Sequence, residues 1–294
     1  MTVVALCSAK GSPGVTTLAC VLGAVWPIEL PVVVAECDPA GGDIGRRFDL
    51  PGRAGMASFA LAAGRGGGVP DLRPHLQHLP GGLEVLVGPA SAEAARAVDA
   101  EVDGVSALLG LDSDVVIDCG RVQPDAPGQR ELLARADVVV VVSGDSSAAL
   151  GHASDLARRL RASRGDAVVG IAAVAGHSHR RPARSGGPVP LAGVVAHDRA
   201  AAAVVSGEPG SGRRLARSPL ITSAERLRRW IGSSVADCPA PRPGPDAARP
   251  DAPGLGAPWG PPPSADRTGG AVPRAPWEMP AGTAASPRLP GARP

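Results

Sequence analysis

Apolar residues along the first part of this chain fall into short unbroken runs separated by longer stretches of helical spacing. Val3 to Leu6, Pro31 to Ala35, Leu83 to Val87, Ala136 to Ser143, Ala167 to Val174 and Leu191 to Val195 are such runs, and SDVVIDCGR from Ser113 to Arg121 contains another. Runs rich in Val and Ile, without polar alternation, are what strands covered on both faces require. Between them, Thr17 to Val25, Ala54 to Ala63, Ser91 to Val98 and Ser146 to Arg161 read as helices. A last one, SPLITSAERLRRWIG, spaces Leu227, Trp230 and Ile231 to face a core. Pro27 stops the first helix, and the glycines from Gly64 to Gly68 stop the second. Strand and helix in alternation predict an α/β fold, a doubly wound and mostly parallel sheet with its chemistry at the C-terminal ends of the strands.

The periodic pattern ends near Asp237. Residues 239–294 hold 16 of the 32 prolines, mixed with Gly, Ala and isolated Arg. Such a segment buries too little apolar surface to offset its ordering entropy, so residues 236–294 are expected to form a disordered tail behind a domain spanning 1–235. Trp259 in PWGPPP and Trp277 in APWEMP stand out there, either as docking motifs for a protein partner or as incidental tail residues.

Composition narrows the core and the setting. Only 2% of the 294 residues are aromatic, so the interior must be built from Val, Leu, Ala and Ile. Cys7, Cys20, Cys37, Cys119 and Cys238 form no CxxC pair, which points to a reducing compartment and buried thiols. Val15 to Ala35 carries Glu29 as its single charge, yet Pro27 and Pro31 divide it. Neither a signal peptide nor a membrane span is expected, and the predicted location is cytoplasmic. His75 with His78, and His177 with His179, are close pairs without a third ligand, and read as exposed loop residues.

One stretch carries candidate chemistry more strongly than the rest. KGSPGVTT, Lys10 to Thr17, joins the first strand to the first helix. A Gly-rich turn there lets successive N–H groups converge, and the helix N-terminus adds partial positive charge, which suits a phosphate. Of the 30 basic residues 29 are Arg, so the only lysine, Lys10, lies in this loop. A compact ammonium enters a tight phosphate site more readily than a planar guanidinium does.

The loop resembles the deviant Walker A sequence, KGGxGK[ST]T, of the ParA/MinD family of P-loop ATPases. Lys10, Gly11, Gly14, Thr16 and Thr17 fit it; Ser12 replaces a Gly, and Val15 replaces the lysine that normally holds the β- and γ-phosphates. Gly11, Ser12, Pro13, Gly14, Val15, Thr16 and Thr17 are the implied cofactor-binding residues, and ATP with Mg²⁺ the implied cofactors. The resemblance gives Lys10 a catalytic role, reaching across a dimer interface to the partner's nucleotide. It gives Asp38, in the turn ECDPAGGD, the positioning of the attacking water, with Glu36 where a first Asp is usual. Asp118, at the end of an apolar strand, takes the Walker B role of ordering Mg²⁺, to which the Thr16 hydroxyl binds directly. The function implied is an ATP-dependent dimerisation switch with weak ATP hydrolysis, used in septum placement, partitioning or pilus assembly. Val15 leaves open a scaffold that keeps the fold without turning nucleotide over. The chain has no Asn at the place where the family reads adenine, and none elsewhere.

Charge adds one partner candidate. Residues 1–154 carry 10 basic and 18 acidic side chains, whereas residues 155–232 carry 14 and 5. The second block either meets an acidic partner, such as DNA or an anionic adaptor, or forms solvated helix faces.

Overall fold

The computed structural model describes residues 1–11, 13–27, 29–66, 68–164, 168–175 and 189–237. Eight strands form one sheet in the order β3-β4-β2-β5-β1-β6-β7-β8, with β1 Val3–Ser8, β2 Val32–Glu36, β3 Gln77–His78, β4 Glu84–Leu86, β5 Asp114–Arg121, β6 Val138–Gly144, β7 Val168–Ala175 and β8 Leu191–Ala196. All pairings are parallel except that of the two-residue edge strand β3 with β4. The sheet is the doubly wound, mostly parallel one that the apolar runs predict, and each predicted run lies on a strand. The inner strands β1, β5 and β6 are buried almost throughout, which is why their sequences show no alternation.

Two cores cover the faces. Odd positions of β1 (Val3, Ala5, Cys7) pack with Phe59 of α3 (Met56–Gly66), Val105 of α5 (Val102–Ser106), Leu132 of α6 (Pro127–Arg135) and Leu156 of α7 (Ser147–Arg164). Even positions (Val4, Leu6) pack with Leu18 and Leu22 of α1 (Val15–Ala24), Ile44 of α2 (Ile44–Arg47), Ala201 of α8 (Arg199–Val205) and Leu227 and Ile231 of α10 (Pro219–Asp237). Helix α4 (Ala92–Ala100) is capped by the Ser91 hydroxyl, as its sequence suggests, and α9 (Gly212–Ala216) precedes α10. Trp230 is partly buried against the second core, its ring lying where a side chain at Gly170 would go.

Helices α2, α5, α6, α8 and α9 and strand β3 carry too little periodicity to be foreseen. They are short, and tertiary packing supplies most of the stability of such helices. Of the histidines, His75 departs from the expectation of an exposed loop residue. It is half-buried, edge-on to Phe59 with ring centroids 5.9 Å apart, and its Nδ1 is 2.8 Å from the Ser58 hydroxyl. His78 is exposed and faces Glu84 at 3.6 Å. Ser12, His177, His179, Cys238, Trp259, Trp277 and the tail from residue 238 on lie outside the described residues.

Candidate functional site

Strands β1, β5 and β2 are neighbours, and their register puts Leu6, Asp118 and Glu36 in one row on the face covered by α1. Just beyond Leu6, β1 turns into the loop. Gly11 and Gly14 take left-handed conformations, at φ 74° and 91°, which only glycine adopts without strain. Gly14 is also the N-cap of α1, so no side chain caps that helix, and its first turn contains no acidic residue. The first-turn N–H groups, orphans in any helix, are thus left available to an anion.

Asp118 lies at the centre of that row, in the middle of the sheet, and is 0% exposed. Its Oδ1 accepts the Gly120 N–H at 2.9 Å, while Oδ2 is buried without a hydrogen-bond partner. Burial raises its pKa to about 6, against the pull of the nearby Thr16 hydroxyl and the Gly120 amide; the Asp38 charge raises it further. The Thr16 hydroxyl acts on it without closing a hydrogen bond to Oδ2. A buried carboxylate oxygen left bare beside a hydroxyl is a donor set that suits a hard, oxygen-loving cation such as Mg²⁺. Thr16 and Asp118 therefore fit the metal role that the resemblance gives them.

Asp38 closes the site from the β2 side. Its Oδ1 accepts the Ala40 N–H at 2.8 Å, fixing the DP turn, and burial holds its pKa above the ordinary carboxylate value. Its carboxylate rests on Gly120: a Cβ there would come within 1.9 Å of Oδ2. Gly120 is itself left-handed, at φ 57°. Gln129 on α6 holds this kink from behind, donating from Nε2 to the carbonyls of Cys119 and Arg121 at 2.6 and 3.0 Å. Asp99 in turn accepts the Gly128 and Gln129 N–H groups at the start of α6. Neither Gly120, Gln129 nor Asp99 carries a sequence signal beyond Gly120 standing two residues after Asp118.

Glu36, which stands where a first Asp is usual in the family turn, is committed to backbone. It is 1% exposed, and its two oxygens accept three backbone N–H groups: Asp43 at 2.6 Å, Ile44 at 3.0 Å and Gly88 at 3.0 Å. It ties the end of β2 to the start of α2 and to the segment after β4. Burial outweighs those bonds and lifts its pKa to about 7.

The structure gathers Thr16 and Asp38 around Asp118 of β5, and it leaves two loop residues apart from them. Lys10 is exposed and makes no ion pair among the described residues. Val15, where the family has its phosphate-binding lysine, is 6% exposed and packs into the apolar core on the α1 face. Thr17 accepts a hydrogen bond from Arg47 of α2 at 3.3 Å, a cation that no motif indicates.

No protein-family model and no curated protein matches the chain. Solved structures do. A ParA family ATPase from Chlorobium tepidum superposes with a TM-score of 0.60 at 16% identity, over 78% of this chain and 98% of that one. The septum site-determining protein MinD from Pyrococcus horikoshii, complexed with Mg-ADP, gives 0.58 at 16% identity, over 78% and 95%. A Borrelia burgdorferi protein described as a plasmid partition protein, bound to AMPPNP, gives 0.58 at 13% identity, over 79% and 98%. With the strand order, the loop between β1 and α1 and the buried carboxylate on β5, these likenesses place the fold of this chain as that of the ParA/MinD ATPases.

Proposed function

We propose that this protein is an ATP-dependent dimerisation switch of the ParA/MinD kind, acting in spatial organisation such as septum placement, partitioning or the assembly of a polar structure. The observation that carries the reading is the bare, buried Oδ2 of Asp118 beside Thr16, at the mouth of a left-handed glycine loop. Bound Mg²⁺ would supply charge neutralisation and hold the terminal phosphates in place. The chain's own residues do the remainder. First-turn N–H groups of α1 receive phosphate oxygens, Thr16 and Asp118 hold the cation, and Asp38, propped on Gly120, orients a water. Lys10, exposed at the front of the loop, is free to enter a partner subunit's site. The Arg-rich block at 155–232 is the surface proposed for DNA or an anionic adaptor, and the Pro-rich tail a candidate protein-docking segment.

Light scattering with and without MgATP, on wild type and Lys10→Ala, together with phosphate release, tests this. Dimerisation that requires both MgATP and Lys10 is the expected result; a protein whose mass ignores MgATP and that releases no phosphate overturns it. The burial of Val15 favours one alternative, a scaffold that binds nucleotide without hydrolysing it. Nucleotide-dependent dimers with no phosphate release, and no change on Asp38→Ala, would establish that alternative.

A further inference from the structure

With Val15 turned into the core, α1 offers the phosphate loop no side-chain cation. The fold brings one from another element. Arg47, at the end of α2, is 24% exposed along its side chain, and its Nη1 lies 3.3 Å from the Thr17 hydroxyl in the first turn of α1. The same nitrogen reaches Ser206 Oγ at 3.5 Å, and Nη2 pairs with Asp43 at 3.1 Å. Its charge is felt in the site, where it favours the ionised form of buried Asp118.

The backbone under Arg47 is held from two sides. Glu36 anchors the start of α2 through the Asp43 and Ile44 N–H groups. At the other end, Gly207, left-handed at φ 94°, approaches so closely that a Cβ there would sit 2.0 Å from the Arg47 carbonyl oxygen. A guanidinium set at the loop by such constraints needs little reordering to meet an anion.

We propose that Arg47 is a phosphate-binding residue of this nucleotide site, supplying within the same subunit the positive charge that Val15 does not. This rests on the reading of the loop as a nucleotide site. A guanidinium has five N–H donors in a fork that matches two phosphate oxygens. Here it makes two long hydrogen bonds to hydroxyls and one ion pair with Asp43, whose side chain is 60% exposed. An exposed pair of this kind is readily exchanged for a phosphate. Arg47 hydrogen-bonds Thr17 and not Thr16 or Asp118, the residues that fit the cation, so its proposed role is separate from theirs. MgADP and MgATP should therefore depend on it alike.

Titration calorimetry of the full-length chain with MgADP and with MgATP tests the assignment, using wild type, Arg47→Gln, Arg47→Lys and Arg47→Gln combined with Val15→Lys. Loss of a charge-assisted contact should weaken both nucleotides roughly ten- to a hundredfold in Arg47→Gln. Arg47→Lys should lose only severalfold, because it keeps the charge and not the fork. The double variant should recover part of the affinity, since a lysine then reaches the site from α1. A circular dichroism melt without ligand checks that each variant is folded. If Arg47→Gln does not fold, Arg47→Lys decides, and affinity equal to wild type overturns the assignment. Equal binding by folded Arg47→Gln and wild type overturns it while leaving the nucleotide site standing. A wild type that binds neither nucleotide overturns both.

Discussion

Strands β2 and β5 lie side by side in the sheet, each burying a carboxylate in the same row, and the two acids are satisfied in opposite ways. At the end of β2, Glu36 accepts three backbone N–H groups and has become part of the framework. On β5, Asp118 accepts one and keeps an oxygen bare. Both are raised in pKa by burial, so burial alone does not separate them. What separates them is satisfaction: the acid with its acceptors filled holds backbone, and the one with an acceptor left open is available to a ligand.

The largest test of that contrast is Glu36→Ala. It orphans three backbone N–H groups, two of them in buried bonds, at about 1–3 kcal/mol each when fully buried, so a loss of about 4 kcal/mol in urea denaturation is expected. A loss under about 1 kcal/mol would break the comparison.

Next comes pH. Glu36 rises from 4.5 to about 7 on folding and Asp118 from 3.8 to about 6, so between these values the native state holds protons that the unfolded chain has released. Stability of the ligand-free protein therefore falls as pH rises from about 4 to 7. Urea midpoints at pH 5 and pH 7.5 measure it, and a midpoint that climbs with pH contradicts the assignment. Saturating MgADP should offset part of the fall, since it favours the charged form of Asp118.

Gly120→Ala ranks third. The left-handed backbone and the clash with Asp38 together should cost about 2 kcal/mol and push the Asp38 carboxylate out of place. A thermal melt checks the first effect and phosphate release the second. The contrast is sharpest in Asp118→Asn, which removes a buried charge. Unlike Glu36→Ala, it should leave the ligand-free protein as stable as wild type or up to about 2 kcal/mol more stable at pH 7.5. The thermal shift on adding Mg²⁺ with ADP should vanish. Smallest is Lys10→Ala, whose exposed side chain should change monomer stability by less than about 0.5 kcal/mol. A larger loss in its melt would show that Lys10 packs within its own subunit.

Much of this architecture is legible in the chain. Seven of the eight strands follow from apolar runs, and those of the inner strands β1, β5 and β6 are Val-rich and unbroken because a strand buried on both faces has no polar position to interrupt it; β8, with Val194 38% exposed, is covered less fully. The loop, Thr16, Asp38 and Asp118 are readable because each is joined to a local signal: a glycine turn, a DP turn, an apolar strand that ends in an acid. Arg47, Gln129, Asp99 and Gly120 carry no such signal. Their roles depend on contacts with groups distant in sequence, as when Arg47 meets Thr17 and Ser206 or Gln129 clamps the carbonyls around Gly120.

Local sequence thus determined the strands, the main helices and where along them the glycine loop and the two acids occur, since periodicity and turn chemistry act between near neighbours. The tertiary structure alone decided that Glu36 is filled while Asp118 is bare, that Val15 belongs to the core, and that a guanidinium from α2 reaches the loop. Burial and hydrogen-bond satisfaction are properties of the packed chain, and residues far apart in sequence supply them.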